Sequence, residues 1–277
     1  MKNMSLVEIA LETLKVVEDG FYINNMQKEV SIQKETEFAV QNSESIRPED
    51  FPEKFELKKI NGETQIEVTD ETTLEAAKRI CKQNADENPF VLNFANAFQP
   101  GGGFLVGAVA QEESLARASS LYTCLTAKME MYEFNRFNRT ELASDWMIYS
   151  PKVPVFRNDD ASFLEKSYYI TILTSPAVCV RNFTEKEILE NADLIYSVNR
   201  ERIRKFLWLA NQKGHQTLIL GAWGCGAFRN KVEDIAETFH DLLKNEFANC
   251  FEQVIFAIYD TTPKQEVYKT FVEVLGN

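Results

Sequence analysis

The chain has 277 residues, 44% apolar and 12% aromatic, which is enough to bury one large domain or one domain with a small addition. With 11 glycines and 8 prolines, the composition excludes a long disordered tract. The net charge of −12 excludes broad, non-specific nucleic-acid binding, so an anionic ligand must be held by backbone N–H groups or a local basic rim.

Residues 4–18 place Leu6, Ile9, Ala10, Leu14 and Val17 on one stripe, which predicts an amphipathic helix ended by an Asp19-Gly20 turn. FYINN (21–25) and KEVSIQ (28–33) read as a hairpin. Residues 41–52 are polar, carry Pro48 and Pro52, and read as a connection. TQIEVTD (64–70) alternates as a strand, and Asp70 or Thr72 offers a cap for a helix over 73–84. FVLNFAN (90–96) fits a buried strand that runs straight into three glycines. Helical spacing extends from Gln111 to about Tyr132. Residues 146–156 read as strand, turn, strand, and a further strand run lies in 168–178. A long helix is predicted over 185–213, and TLILGAWGCGAF (217–228) is a strand leading into a second glycine loop. The helix 231–247, the strand 252–260 and the helix 264–275 complete the chain.

From about residue 64 onward, strands alternate with helices, the pattern of an α/β sheet covered on both faces. Residues 1–63 do not share it and read as an N-terminal helical and hairpin extension packed on a main domain of 64–277. The five cysteines lack any CxxC spacing and only two histidines are present, so a zinc site is not expected and the thiols read as reduced. Glu8 and Glu12 interrupt the N-terminal apolar residues, unlike a signal peptide, and no run of about 18 apolar residues suggests a membrane span. The expectation is a cytoplasmic, soluble protein, with nothing demanding more than a monomer.

Two loops carry the chemistry. Gly101, Gly102 and Gly103 follow one strand, and Gly224, Cys225 and Gly226 follow another. Glycine lets backbone approach a ligand closely, and a helix start offers free N–H groups to a phosphate. Neither loop has dinucleotide or P-loop spacing, and glycines alone fit a tight turn equally well. On neighbouring strands, such loops converge where α/β proteins bind ligands. Gln111, Glu112 and Glu113 follow the first loop. Acids at a helix N-terminus can be simple dipole partners. Beside a bound sugar diphosphate, a carboxyl is also what glycosidic cleavage needs, to protonate the leaving oxygen and then activate water. Adjacent helical residues diverge by about 100°, so the two acids cannot be an ordinary facing pair; one transfers the proton and the other positions hydroxyls.

GGG, seven residues and then QEE resembles the signature of poly(ADP-ribose) glycohydrolases, a catalytic branch of the macrodomain fold. The surrounding NFANAFQPGGG, GAVAQEESLARASSLY, SPKVPVF, ILTSPA, GHQTLILGAWGCGAF and VIFAIYD resemble its bacterial-type members, over roughly residues 64–262. The resemblance implies a macrodomain-like mixed sheet between helices and hydrolysis of the ribose–ribose O-glycosidic bond. Glu113 would be the general acid/base and Glu112, with Gln111 beside it, would hold the substrate's ribose. Asn96 would contact the ribose nearest the scissile bond. Gly101, Gly102 and Gly103 would approach the diphosphate from one side, and Gly224, Cys225 and Gly226 from the other. Phe228 and Phe256 are the aromatic candidates for adenine or ribose. No metal or other cofactor is implied. The implied partners are ADP-ribose polymer or ADP-ribosylated macromolecules, with reversal of ADP-ribosylation as the outcome.

One departure is Arg229, where related sequences often carry glycine; it adds a ligand contact or points to solvent. Cys225 has no histidine near it in sequence, His215 and His240 read as surface or helix residues, and Tyr168, Tyr169 and Trp208 fit core positions. Two alternatives share these residues: a mono-ADP-ribosyl hydrolase, and a macrodomain that binds ADP-ribose without turnover.

Overall fold

Residues 4–84 and 87–276 are described by a computed structural model. Helix α1 (Leu6–Asp19) opens on a capping box between Ser5 and Glu8 and closes at Gly20, whose φ of 78° is the left-handed value glycine tolerates. Strands β1 (Phe21–Ile23) and β2 (Glu29–Ser31) form the expected antiparallel hairpin. Helix α2 (Gln33–Gln41) follows. The stretch read as a plain connection contains a short strand, β3 (Glu44–Ile46), which pairs with the main sheet.

Strand β4 (Gln65–Thr69) leads to helix α3 (Thr73–Gln83), capped by Thr72 with Glu75. Strand β5 (Phe90–Phe94) precedes the triple glycine. The single helix anticipated beyond it is three: α4 (Gln111–Ala118), α5 (Leu121–Thr126) and α6 (Glu130–Asn138). Ser119 breaks the run in an extended conformation, bridging to Val155, while Ser120 N–H donates to the Pro154 carbonyl. Strands β6 (Met147–Arg157) and β7 (Phe163–Ser175) are long partners. The turn expected at Pro151 is instead a register shift within β6, with Lys152 at φ 50°. Helices α7 (Glu185–Glu190) and α8 (Ala192–Gln212) divide the long helical stretch at Asn191. Strand β8 (Thr217–Leu220), helix α9 (Val232–Lys244), strand β9 (Gln253–Ala257) and helix α10 (Glu266–Leu275) end the chain.

The seven-stranded sheet runs β3-β6-β7-β5-β8-β9-β4. The β3/β6 and β6/β7 pairs are antiparallel and the remaining four are parallel, so the sheet is mixed. Alternation along each strand sorts side chains into two layers. Phe90, Leu92, Leu218, Leu220, Val254 and Phe256 pack with Phe206, Phe239 and Phe271 of α8, α9 and α10. On the other face Val91, Ile172, Ile219 and Ile255 meet Leu74 and Ile80 of α3, Leu115 of α4 and Leu121 of α5. Residues before 63 contribute to this body directly. Strand β3 sits at one sheet edge, and Ala10 of α1 packs with Phe104 and Ala116. Among the described residues, no helix is long and apolar enough to cross a membrane.

Parallel neighbours β5 and β8 end on the same side of the sheet, so their following loops meet there. Each loop then leads toward a helix, α4 or α9.

Candidate active site

Glu112 and Glu113 occupy the first turn of α4 and are both buried, at 3% and 8% exposure. The Asn96 N–H donates to Glu112 Oε2 at 2.7 Å, and Asn93 Nδ2 donates to Oε1 at 3.3 Å. Burial is the main influence on this carboxyl and pushes it up to about 8; the donors from Asn96, Asn93 and Gly101 pull it down, and the Glu113 charge adds to the rise. Glu113 Oε1 accepts the Gly103 N–H at 2.9 Å, while Glu113 Oε2 is buried without a hydrogen-bond partner.

Gly102 explains how adjacent residues converge. Its φ is 58°, and a Cβ there would lie 2.3 Å from Glu113 Oε1 and 3.0 Å from Glu112 Oε2. The helix sends the two side chains in different directions, and both carboxyls nevertheless close around one point that only glycine leaves open. The triple glycine therefore serves the acids. Gly103 N–H holds Glu113, Gly102 N–H donates to the Gln99 carbonyl at 3.1 Å, and Gly101 N–H acts on Glu112. The Gly102 and Gly103 amides thus make contacts within the protein.

The second loop is braced from below. Asn230 Nδ2 donates to the Val178 carbonyl at 2.7 Å and to the Gly224 carbonyl at 3.0 Å, and Asn199 Nδ2 donates to Asn230 Oδ1 at 2.8 Å. Trp223 is fully buried, with Nε1 donating to the Ser175 carbonyl at 2.9 Å. Gly224 has φ 77°, and a Cβ there would meet Ala177 Cβ at 2.6 Å. The Gly226 site is open. Arg229 has φ 63° and is exposed, a backbone state that explains why glycine suits the position.

Three of the sequence-based candidates are engaged within the protein. Gln111 uses its amide on β5: Phe94 N–H donates to its Oε1 at 2.9 Å, and its Nε2 donates to the Leu92 carbonyl at 2.8 Å. It anchors α4 to the strand end. Cys225 donates its N–H to the Ala222 carbonyl, and its thiol faces the Trp223 carbonyl at 3.7 Å. Burial pushes that thiol up to about 12, which leaves it protonated and unsuited to act as a nucleophile. Phe256 is fully buried between Phe239 and Phe271, at centroid distances of 5.0 and 5.7 Å, and presents no face to a ligand. His215 also departs from the surface reading: it packs on Phe90, shares a 2.9 Å hydrogen bond with the Tyr149 hydroxyl, and is pushed down to about 4 by burial. Asn96 and Phe228 are both half-buried. Asn96 Oδ1 accepts N–H groups from Phe98 and Gln99 at 2.8 and 3.0 Å, which fixes the turn.

Sequence reasoning missed Asn93 and Arg117. Asn93 is the one polar residue inside FVLNF, which is the signal that could have found it. It is fully buried and divides its amide between Glu112 and Thr174. Arg117 is one turn beyond Glu113 and is buried, with Nη1 donating to the Ala108 carbonyl at 2.7 Å. Burial lowers its pKa and Glu113 opposes that fall, so the guanidinium ties down the acid-bearing loop near a carboxyl of opposite charge. Thr13 of α1 donates to the Arg117 carbonyl at 2.6 Å, which makes α1 part of the same support.

Carboxyls held from water beside a fixed glycine turn, at the mouth of two strand-to-helix loops, define a macrodomain-type hydrolase site. The sequence matches the family described as microbial-type PARG, catalytic domain, over residues 10–158. The crystal structure of poly(ADP-ribose) glycohydrolase from Thermomonospora curvata is 41% identical, covers 98% of this chain and 99% of its own, and superposes with a TM-score of 0.92. The same protein bound to the inhibitor ADP-HPD gives 41% identity, 97% and 98% coverage, and a TM-score of 0.88. Poly(ADP-ribose) glycohydrolase from Deinococcus radiodurans in complex with ADP-ribose is 35% identical, with 86% and 96% coverage and a TM-score of 0.76. A search of curated proteins finds no match. The chain belongs to the microbial-type poly(ADP-ribose) glycohydrolase family, and its activity is that of a poly(ADP-ribose) glycohydrolase.

Proposed function

We propose that Glu113 is the general acid/base of this reaction and that its Oε2 is the oxygen that moves the proton. The observation behind this reading is the asymmetry of the carboxyl: Oε1 is fixed by the Gly103 N–H, and Oε2 is buried and unpartnered. A buried acceptor without a protein partner is costly unless a ligand supplies one. In its acid form Glu113 donates a proton to the bridging ribose oxygen. The bond from that oxygen to the anomeric carbon breaks, its electron pair goes to the oxygen, and an oxocarbenium-like centre develops. The carboxylate then takes a proton from water as the water oxygen attacks the anomeric carbon, which restores the acid.

Glu112 receives ribose hydroxyls, with Asn96 beside it donating from its side-chain amide. Gly224 and Gly226, whose N–H groups find no hydrogen-bond partner among the described residues, face the diphosphate, and Phe228 packs on adenine or the proximal ribose. The substrate class is ADP-ribose polymer. Hydrolysis in heavy-oxygen water tests the bond assignment. The label is expected in the anomeric hydroxyl of released ADP-ribose, and label in phosphate would contradict cleavage at the glycosidic bond.

A further inference from the structure

A pocket of about 350 Å³ lies behind the turn that carries Asn96, lined by Phe98, Arg136, Arg139, Thr140 and Glu141. We propose that it binds the adenosine diphosphate moiety of the leaving polymer unit, the one attached through the bridging oxygen. The proposal rests on the polymer-cleaving activity above and adds a second subsite to it.

The first argument is position. Phe98 and Gly102 belong to one turn, closed by Gly102 N–H donating to Gln99 carbonyl at 3.1 Å. Four residues span at most about 14 Å even when extended, and this turn is not. One side of the turn meets the acids, through Asn96 N–H on Glu112 and Gly103 N–H on Glu113. The other meets α6, where Arg136 Nε donates to the Phe98 carbonyl at 2.7 Å. Tyr132 is fully buried on the same helix. Burial and then Glu112 push its phenol well above its ordinary range, while Arg136 acts in the opposite direction.

The second argument is chemistry. The protein carries a net charge of −12, yet this pocket brings together two arginines, and neither has a carboxylate within 4.0 Å among the described ion pairs. A guanidinium fork matches phosphate oxygens, and an aromatic ring offers a face to a purine. Thr140 adds a hydroxyl. Glu141 Oε1 accepts from Asn182 Nδ2 at 3.3 Å, which leaves the carboxylate able to accept a ribose hydroxyl or an adenine amino group. Arg139 is the cleaner probe, because Arg136 also supports the turn. Among the described residues, Arg139 Nε donates only to the neighbouring Arg136 carbonyl, at 3.2 Å.

The test compares a two-unit ADP-ribose oligomer, with one scissile bond, against free ADP-ribose. Arg139→Glu is expected to raise KM for the oligomer about five- to tenfold with kcat changed less than about twofold, and to leave ADP-ribose affinity unchanged. Arg139→Lys is expected to recover part of the loss, and thermal melting of both variants to match wild type. An unchanged KM, or equal weakening of oligomer and ADP-ribose, overturns the proposal. The comparison reads KM and is therefore independent of which residue transfers the proton; failure of the Glu113 assignment would appear in kcat.

Discussion

Glu112 and Glu113 are neighbours in sequence and similarly buried, yet they differ in their hydrogen bonds. Both oxygens of Glu112 accept donors, whereas Glu113 is held by one oxygen only. The difference fits the proposed division of labour, with Glu112 anchored at both oxygens and Glu113 keeping one oxygen for the substrate. Glu112 also makes stability depend on pH. Its folded value of about 8 lies above the ordinary 4.5, so the folded state binds the extra proton. Its contribution is complete below about pH 4.5 and is lost as the pH rises through about 8. The ligand-free protein should therefore lose stability across this window, by up to about 1.4 kcal/mol per pH unit, and Glu112→Gln should flatten the slope. Chemical denaturation from pH 5 to 8 measures this, and an equal slope in the variant would remove Glu112 as its source. At this scale the sequence was informative about residue types and poor on their use. QEE marked the acids, but nothing in it showed that the Gln111 amide closes on β5. Phe256 lay in an apolar strand whose two faces both proved buried, and apolar strand residues carry no mark separating core from cleft.

The first glycine loop and α4 act as one element. Gly102 at φ 58° gives the turn its shape, and its missing Cβ makes room for both carboxyls. Gly102→Ala strains the backbone and drives a methyl carbon into Glu113 Oε1, which must move. Turnover is expected to fall by at least about 100-fold, since a catalytic group displaced by about 1 Å costs that much. Steady-state kinetics on polymer, with circular dichroism to confirm folding, measures it; turnover near wild type would show that the close packing is dispensable. Elements defined by local signals were legible. Ser5 with Glu8 and Thr72 with Glu75 cap α1 and α3, and the hairpin is where its alternation placed it. Elements defined by distant partners were not. Strand β3 is three residues long and exists because β6 pairs with it. The break between α4 and α5 depends on Val155 and Pro154, and helical spacing continues across it as though it were absent.

At the scale of the whole molecule, an acidic protein acts on an acidic polymer. Net charge opposes their encounter, so affinity must come from directed donors: by the proposals above, main-chain amides in one loop and a pair of arginines behind the other. The sheet brings these together by setting β5 beside β8, and the N-terminal segment reinforces the arrangement through Thr13 on Arg117. Alternation of strands and helices made this plan readable from residue 64, but the contribution of α1 depends on side chains about 100 residues away. The most direct measurement is single-turnover release of ADP-ribose from labelled polymer by wild type and Glu113→Gln, with ADP-ribose affinity measured in parallel. The variant should bind within about twofold of wild type and release product about 1,000-fold more slowly, as expected when an acid/base group is lost. Release by Glu113→Gln at the wild-type rate would contradict the assignment.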